Sequence, residues 1–337
     1  MAIPSNSFEP IDELSLAGRV SKGDEGTMTL LFDAVALPSA IYVLAVSLFA
    51  SSLLSTMSLL PLGSTQSIAT MIGWLAVLVM ASGAYILDRV KLAGSHMDPA
   101  DDDAHEVRMR FARTHHRILR TFAMVELCAG SVLLAISSWL MHAPVALQIL
   151  AVCAGPAAIL AGLVYAPGPA RSGLLRGKDV LVLKPLLVAC AVTGLALLPD
   201  IVTMQLKSPA WREAALIVCV LVWVVGDAIL SDIDDVESDQ RWGTDTVPGR
   251  IGAKWAVFAC IILHGVVVVV LACTAVFGAA FDAKMCIAVV CFGALTGHEI
   301  IVFLMNTQRP VRRMRHSVDT RLAIASGLVL ASYLLMG

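Results

Sequence analysis

The stretch of this chain best equipped for chemistry runs from Asp232 to Gly252, DIDDVESDQRWGTDTVPGRIG. Asp232, Asp235 and Asp239 are spaced i, i+3 and i+7, which on a helix places three carboxylates on one stripe. Asp234 falls on the opposite side. The stretch closes an apolar run, Ala214 to Leu230, that is long enough for most of a membrane helix. Carboxylates packed this densely repel one another, and ionised groups near lipid are expensive. Hard oxygens on one face suit Mg²⁺, which is usually held by one or two carboxylates together with substrate phosphates. One reading is a divalent-metal site for a diphosphate at a membrane surface; the other is a solvated, acidic helix end. Spacing alone fits both.

The elements that would carry these residues are apolar. The chain has 337 residues, 58% of them hydrophobic and 15% charged, with a mean hydropathy of +0.82. Soluble domains carry about 25% charged residues, so the composition excludes an ordinary soluble enzyme and points to an all-α, polytopic membrane protein. A spanning helix needs about 20 apolar residues. Nine stretches qualify, at 32–55, 66–88, 118–140, 144–166, 181–202, 213–232, 254–278, 284–305 and 320–336. The links after the second, fourth, sixth and eighth spans hold nineteen of the 24 Lys and Arg residues. By the positive-inside rule those loops, the acidic stretch and the N-terminus are expected on the cytoplasmic side, with the C-terminus outside. The polar residues 1–30 read as a flexible tail without a cleavable signal, ahead of a transmembrane domain over 31–337. All eight cysteines lie in apolar runs without disulfide or zinc spacing, and are expected to be packing residues. The net charge of −2 identifies no partner, and no nucleic-acid partner is expected. No P-loop, Rossmann glycine pattern, nucleophilic triad or inverted repeat with broken helices is legible.

The acidic stretch resembles the second aspartate-rich motif of the UbiA superfamily of intramembrane prenyltransferases, roughly D-x-x-D-x-E-x-D-R-x-x-G-x-x-T-x-P-x-R-x-G. Asp232, Asp235, Glu237, Asp239, Gly243, Thr246, Pro248, Arg250 and Gly252 match, and Gln240 stands where Arg is usual. The resemblance implies nine helices around a central cavity, in two halves that each carry an acidic motif. It implies Mg²⁺ as cofactor, bound by Asp232, Asp235, Asp239 and Asp88, with Asp235, Asp239 and Asp88 central to catalysis. The first motif, roughly N-D-x-x-D-R-x-x-D, is eroded: AYILDRVKL keeps Asp88 and Arg89, but Ala84, Tyr85 and Leu92 replace the usual Asn and two Asp. In the positively charged link after the fourth span, YAPGPARSGLLRGKDVLVLKP, Tyr165, Lys178 and Lys184 stand where the family contacts diphosphate. Arg89 and Arg250 join them as expected diphosphate contacts. The implied substrates are a prenyl diphosphate and a lipophilic acceptor, met within membrane lipid. Cleavage of the carbon–oxygen bond would give an allylic cation, shielded from water, that the acceptor captures. The eroded motif also permits a membrane terpene cyclase of the same type, or an inactive lipid-binding member.

Other polar groups lie inside the apolar runs. Ionisable residues there are expected to be functional or hydrogen-bonded between helices. Asp227, Glu126, His298 and Glu299 belong to this group, and His264 is expected to be structural. In DPADDDAHE, Asp98 is expected to cap a short interfacial helix with Pro99 at its first position.

Overall fold

The computed structural model describes residues 36–54, 64–90, 106–165, 180–204, 210–277 and 283–305, together with Leu322, Ile324 and Gly327. These residues are helical and contain no strand. The helices are α1 (Leu37–Leu54), α2 (Thr65–Val90), α3 (Glu106–Thr114), α4 (His116–Leu140), α5 (Val145–Tyr165), α6 (Leu183–Val202), α7 (Ala210–Ser231), α8 (Val236–Trp242), α9 (Val247–Ile251), α10 (Ala253–Phe277) and α11 (Ala283–Met305).

Seven of them are long and apolar enough to cross a membrane: α2, α4, α5, α6, α7, α10 and α11. The first expected span appears as α1, a shorter apolar helix of 18 residues. The ninth, 320–336, lies outside the described residues except for three helical positions, Leu322, Ile324 and Gly327. The expected tail 1–30, the stretch around Asp98 and Pro99, and Lys178 also lie outside them. Pro38 and Pro185 sit in the first turns of α1 and α6, where the missing N–H has no intrahelical partner to lose.

The outer surface is apolar as well as the core. On α4, Ile118, Val125, Val132 and Trp139 recur at sevenfold spacing and all point outward. Such a stripe would be a liability in water and is at home in hydrocarbon. The chain is an integral membrane protein. Four cysteines expected to pack inside (Cys128, Cys153, Cys190 and Cys273) face outward, while Cys219 and Cys260 are buried; all eight are free thiols.

Two buried clusters divide the bundle. One is built from α1, α6, α7, α10 and α11 with Val77 and Ala81 of α2; the other from α2, α4 and residues of α3, α5 and α6. Helix α6 touches α1, α2, α4, α5 and α7, and so bridges both. Lipid gives helices no hydrophobic reason to associate, so close packing and interhelical hydrogen bonds must do it. Ser47 Oγ donates to the Ala196 carbonyl at 2.7 Å, Ser137 Oγ to Ala69 at 2.7 Å and Ser138 Oγ to Val202 at 2.9 Å. On α5, Gly155 N–H donates to Ser131 Oγ at 2.7 Å, and a Cβ at Gly155 would lie 2.5 Å from that oxygen and 2.6 Å from the Leu127 carbonyl. Gly162, about two turns further along α5, has nothing within 4 Å of a built Cβ.

Gly155→Ala should therefore force α5 off α4, costing about 1–3 kcal/mol, while Gly162→Ala should be neutral or slightly stabilising. Thermal unfolding of the two variants in one detergent checks this; equal behaviour would refute the close approach.

Candidate active site

The carboxylates are not carried on one helix. Helix α7 stops at Ser231, residues 232–235 form a turn, and α8 begins at Val236. The single stripe expected from the spacing is therefore replaced by a helix–turn–helix. The backbone bonds of the turn are long: Asp232 N to Ala228 O, Ile233 N to Leu230 O and Asp235 N to Asp232 O are each 3.3 Å. The turn nevertheless delivers Asp232 and Asp239 to one point. Lys184, the second residue of α6, places Nζ 2.8 Å from Asp232 Oδ1 and 3.3 Å from Asp239 Oδ2. Asp232 is 8% exposed and Asp239 6%. Asp235 is partly buried beside them, and Asp234 and Glu237 are exposed.

The rest of the acidic stretch is turn chemistry. Gly243 ends α8 at φ 79°, in the left-handed region that glycine adopts without strain. Thr244 N–H then reaches back to the Asp239 carbonyl at 2.9 Å, which ties the end of α8 to the residue that carries the carboxylate. Thr246 caps α9, accepting Gly249 N–H on its side-chain oxygen, and Pro248 lies in the first turn. Gly252, at φ 83°, separates α9 from α10. Gln240, which departs from the resembled motif, donates from Nε2 to the Gly249 carbonyl at 2.9 Å and so braces α8 on α9.

Among the expected diphosphate contacts, Lys184 joins the carboxylates, and Tyr165 lies close enough to interact with it electrostatically. Arg250 is exposed, and its guanidinium grips Asp245 through two nitrogens, holding that carboxyl below the usual carboxylate range. Asp88 is exposed and Arg89 half-buried at the last turn of α2. The motif-1 replacements Ala84 and Tyr85 are half-buried against the core.

The structure also assembles polar groups that the sequence left scattered. Asp227, His264 and Glu299, from α7, α10 and α11, have ligand-capable atoms within 4.8 Å of one another. Asp200, which spacing did not single out, is buried near the end of α6 and accepts Ser51 Oγ at 2.8 Å. Glu126 bonds Ser82 between α4 and α2. The only signal for these contacts was an ionisable residue inside an apolar run, which names members and not partners.

No family model matches the chain, and no curated protein matches it in sequence. Solved structures do. A UbiA homologue from Archaeoglobus fulgidus, bound to DMAPP and Mg²⁺, aligns at TM-score 0.63 and 16% identity over 92% of this chain and 98% of that one. An apo UbiA homologue from Aeropyrum pernix K1 aligns at TM-score 0.57 and 15% identity over 89% and 98%. A digeranylgeranylglyceryl phosphate synthase aligns at TM-score 0.52 and 12% identity over 91% and 97%. The chain has the UbiA fold. At such low identity the likeness is one of architecture, and the UbiA fold here carries its own pattern of acidic residues.

Burial pushes the Asp239 carboxyl up to about 6, with Lys184 pulling it back and Asp232 and Asp235 adding to the rise. That lies above the value of about 3.9 for an exposed Asp. Protonated Asp239 thus favours the fold; its contribution is complete below about pH 4 and is lost as pH rises through about 6. The Tm of metal-free protein should fall from about pH 4.5 to about pH 7, and fall less in Asp239→Asn. An identical pH profile in the two proteins would show that another group titrates.

Proposed function

We propose that the chain is a UbiA-superfamily enzyme, a Mg²⁺-dependent intramembrane prenyltransferase that moves an isoprenoid chain from a prenyl diphosphate to a lipophilic acceptor. The observation that carries this reading is the convergence of two buried carboxylates and Lys184 at the end of a bundle with the UbiA fold. Relatives of that fold have been solved with DMAPP or GPP together with Mg²⁺.

The donor set fits a hard divalent cation. Asp232 and Asp239 supply carboxylate oxygens at one point, and Asp235 lies beside them. We assign Asp232, Asp235 and Asp239 as ligands, with Asp88 of α2 as the carboxylate from the other half. When bound, Mg²⁺ would neutralise the charge that grows on a leaving diphosphate.

The chain's own groups do the rest. Lys184 neutralises the carboxylates and is placed to bind phosphate oxygens, with Tyr165, Arg89, Lys178 and Arg250 as further diphosphate contacts. Lys184 also adds positive charge where the diphosphate departs. The apolar helices exclude water, so that the allylic carbon, having lost its oxygen with both bonding electrons, waits for the acceptor's nucleophile. That nucleophile forms the new bond and then loses its proton. The concentration of Lys and Arg in alternate loops supports a cytoplasmic position for this end of the bundle.

Purified protein should release pyrophosphate from prenyl diphosphates in Mg²⁺ when lipid extract supplies an acceptor, and EDTA should abolish release. Asp232→Asn and Asp239→Asn should each lower turnover by about 100-fold or more, and Lys184→Ala by about 10- to 100-fold. Full activity in both Asp variants would remove the metal assignment. A hydrocarbon or cyclic product formed without acceptor would instead identify a terpene cyclase.

A further inference from the structure

Below the carboxylate cluster, a second set of polar side chains is closed inside the bundle. Asp227 lies on α7 five residues before Asp232 and is 2% exposed. Its Oδ2 accepts the hydroxyl of Tyr42, on α1, at 2.9 Å. His264, on α10, has no exposed surface. Its Nδ1 lies 2.8 and 2.9 Å from the two carboxyl oxygens of Glu299, on α11. Its Nε2 lies 3.1 Å from the Trp223 carbonyl, on α7, and 3.9 Å from Asp227 Oδ1. Both ring nitrogens therefore meet oxygen atoms, Nε2 a backbone carbonyl and Nδ1 a carboxyl group. The Trp223 indole lies over the imidazole, with centroids 3.9 Å apart and planes 17° apart.

Gly226 makes this contact possible. A Cβ there would lie 2.2 Å from His264 Nε2, so any other residue would push the ring away from α7. The Asp227, His264 and Glu299 ligand atoms are close enough together to surround a cation. However, the two ring nitrogens face opposite ways and already meet Glu299 and the Trp223 carbonyl, an arrangement of hydrogen bonding and not of ligation.

The network bears on Asp232 through helix geometry. Each residue of a helix turns the chain by about 100° and raises it about 1.5 Å. A one-residue slip of α7 would therefore swing Asp232 away from Lys184. Apolar faces in lipid resist such slips weakly, because helices there have no hydrophobic drive to associate. Hydrogen bonds have direction and fix one register. Past Ser231 the backbone bonds donated by Asp232, Ile233 and Asp235 are long, 3.3 Å each, so the start of the turn follows the end of the helix beneath it.

We propose that Tyr42, Asp227, His264 and Glu299 are positioning residues for Asp232: by joining α1, α7, α10 and α11 through buried hydrogen bonds, they set the rotation and height at which α7 ends and presents that carboxylate. The consequence for metal binding rests on the function proposed above; the consequence for α7 does not.

The test uses the full chain in lipid nanodiscs. Gly226→Ala displaces the ring without removing a polar group, and His264→Phe keeps a ring without its hydrogen bonds. Leu134→Ala is the control: it opens a cavity in the other buried cluster, on α4, away from α7. Each protein is compared by Tm, by amide hydrogen exchange over residues 224–235 and by Mn²⁺ affinity from electron paramagnetic resonance. Gly226→Ala and His264→Phe should raise exchange across that segment at least about tenfold and weaken Mn²⁺ binding by a similar factor. Leu134→Ala should lower Tm and leave both unchanged. Unaltered exchange in the first two variants, or equal loosening in the control, would overturn the proposal. Wild-type protein that binds no Mn²⁺ would instead refute the metal site, and exchange alone would then decide the network.

Discussion

One ammonium group joins the working end of this bundle. Lys184 lies between Asp232 and Asp239, and all three are largely withdrawn from solvent. In that setting charges act on one another with little screening, and removing one member of a buried ionic set leaves the others uncompensated. The ammonium enters on α6, a helix that belongs to both buried clusters, and the carboxylates enter on either side of the break after α7. The break is what allows this. The turn at 232–235 and the cap at Gly243 bring both carboxylates to one lysine.

The acidic stretch is thereby divided into two kinds of residue. Asp232 and Asp239 carry charge to the site, whereas Gly243, Thr246, Pro248 and Gly252 end or start the short helices α8 and α9 within ten residues, before α10 begins. Arg250 matches the resembled motif by type and pairs with Asp245 beside it. Gln240 departs from it and takes a bracing role, through the Gly249 carbonyl. Agreement with a sequence pattern therefore does not say which residues perform chemistry and which hold the backbone.

Lipid explains where the remaining polar groups went. Helices with apolar residues on every side gain little from meeting each other rather than hydrocarbon. Serines bonded to carbonyls of neighbouring helices, Gly155 against α4, and the buried chain from Tyr42 to Glu299 supply the directional contacts that apolar surfaces lack. They lie inside the bundle, and the outward stripe on α4 is left to lipid.

Hydropathy in the sequence was enough to place seven of the nine expected spans, because a helix in hydrocarbon must satisfy its own backbone and so declares itself by length and composition alone. Residue type and spacing were also enough to single out the Asp232 to Gly252 stretch, whereas Lys184 was one of several loop cations that only the family resemblance brought forward. They did not reveal that α7 ends at Ser231, since the stripe argument assumes an unbroken helix and the interruption is made by long, irregular turn bonds. Nor did they reveal that Tyr42, Asp227, His264 and Glu299 meet. Those residues are far apart along the chain, and periodicity reports only which face of its own helix a side chain occupies. Which helix lies opposite that face is decided by packing, by small residues such as Gly226 that let one backbone approach another, and so belongs to the tertiary structure alone.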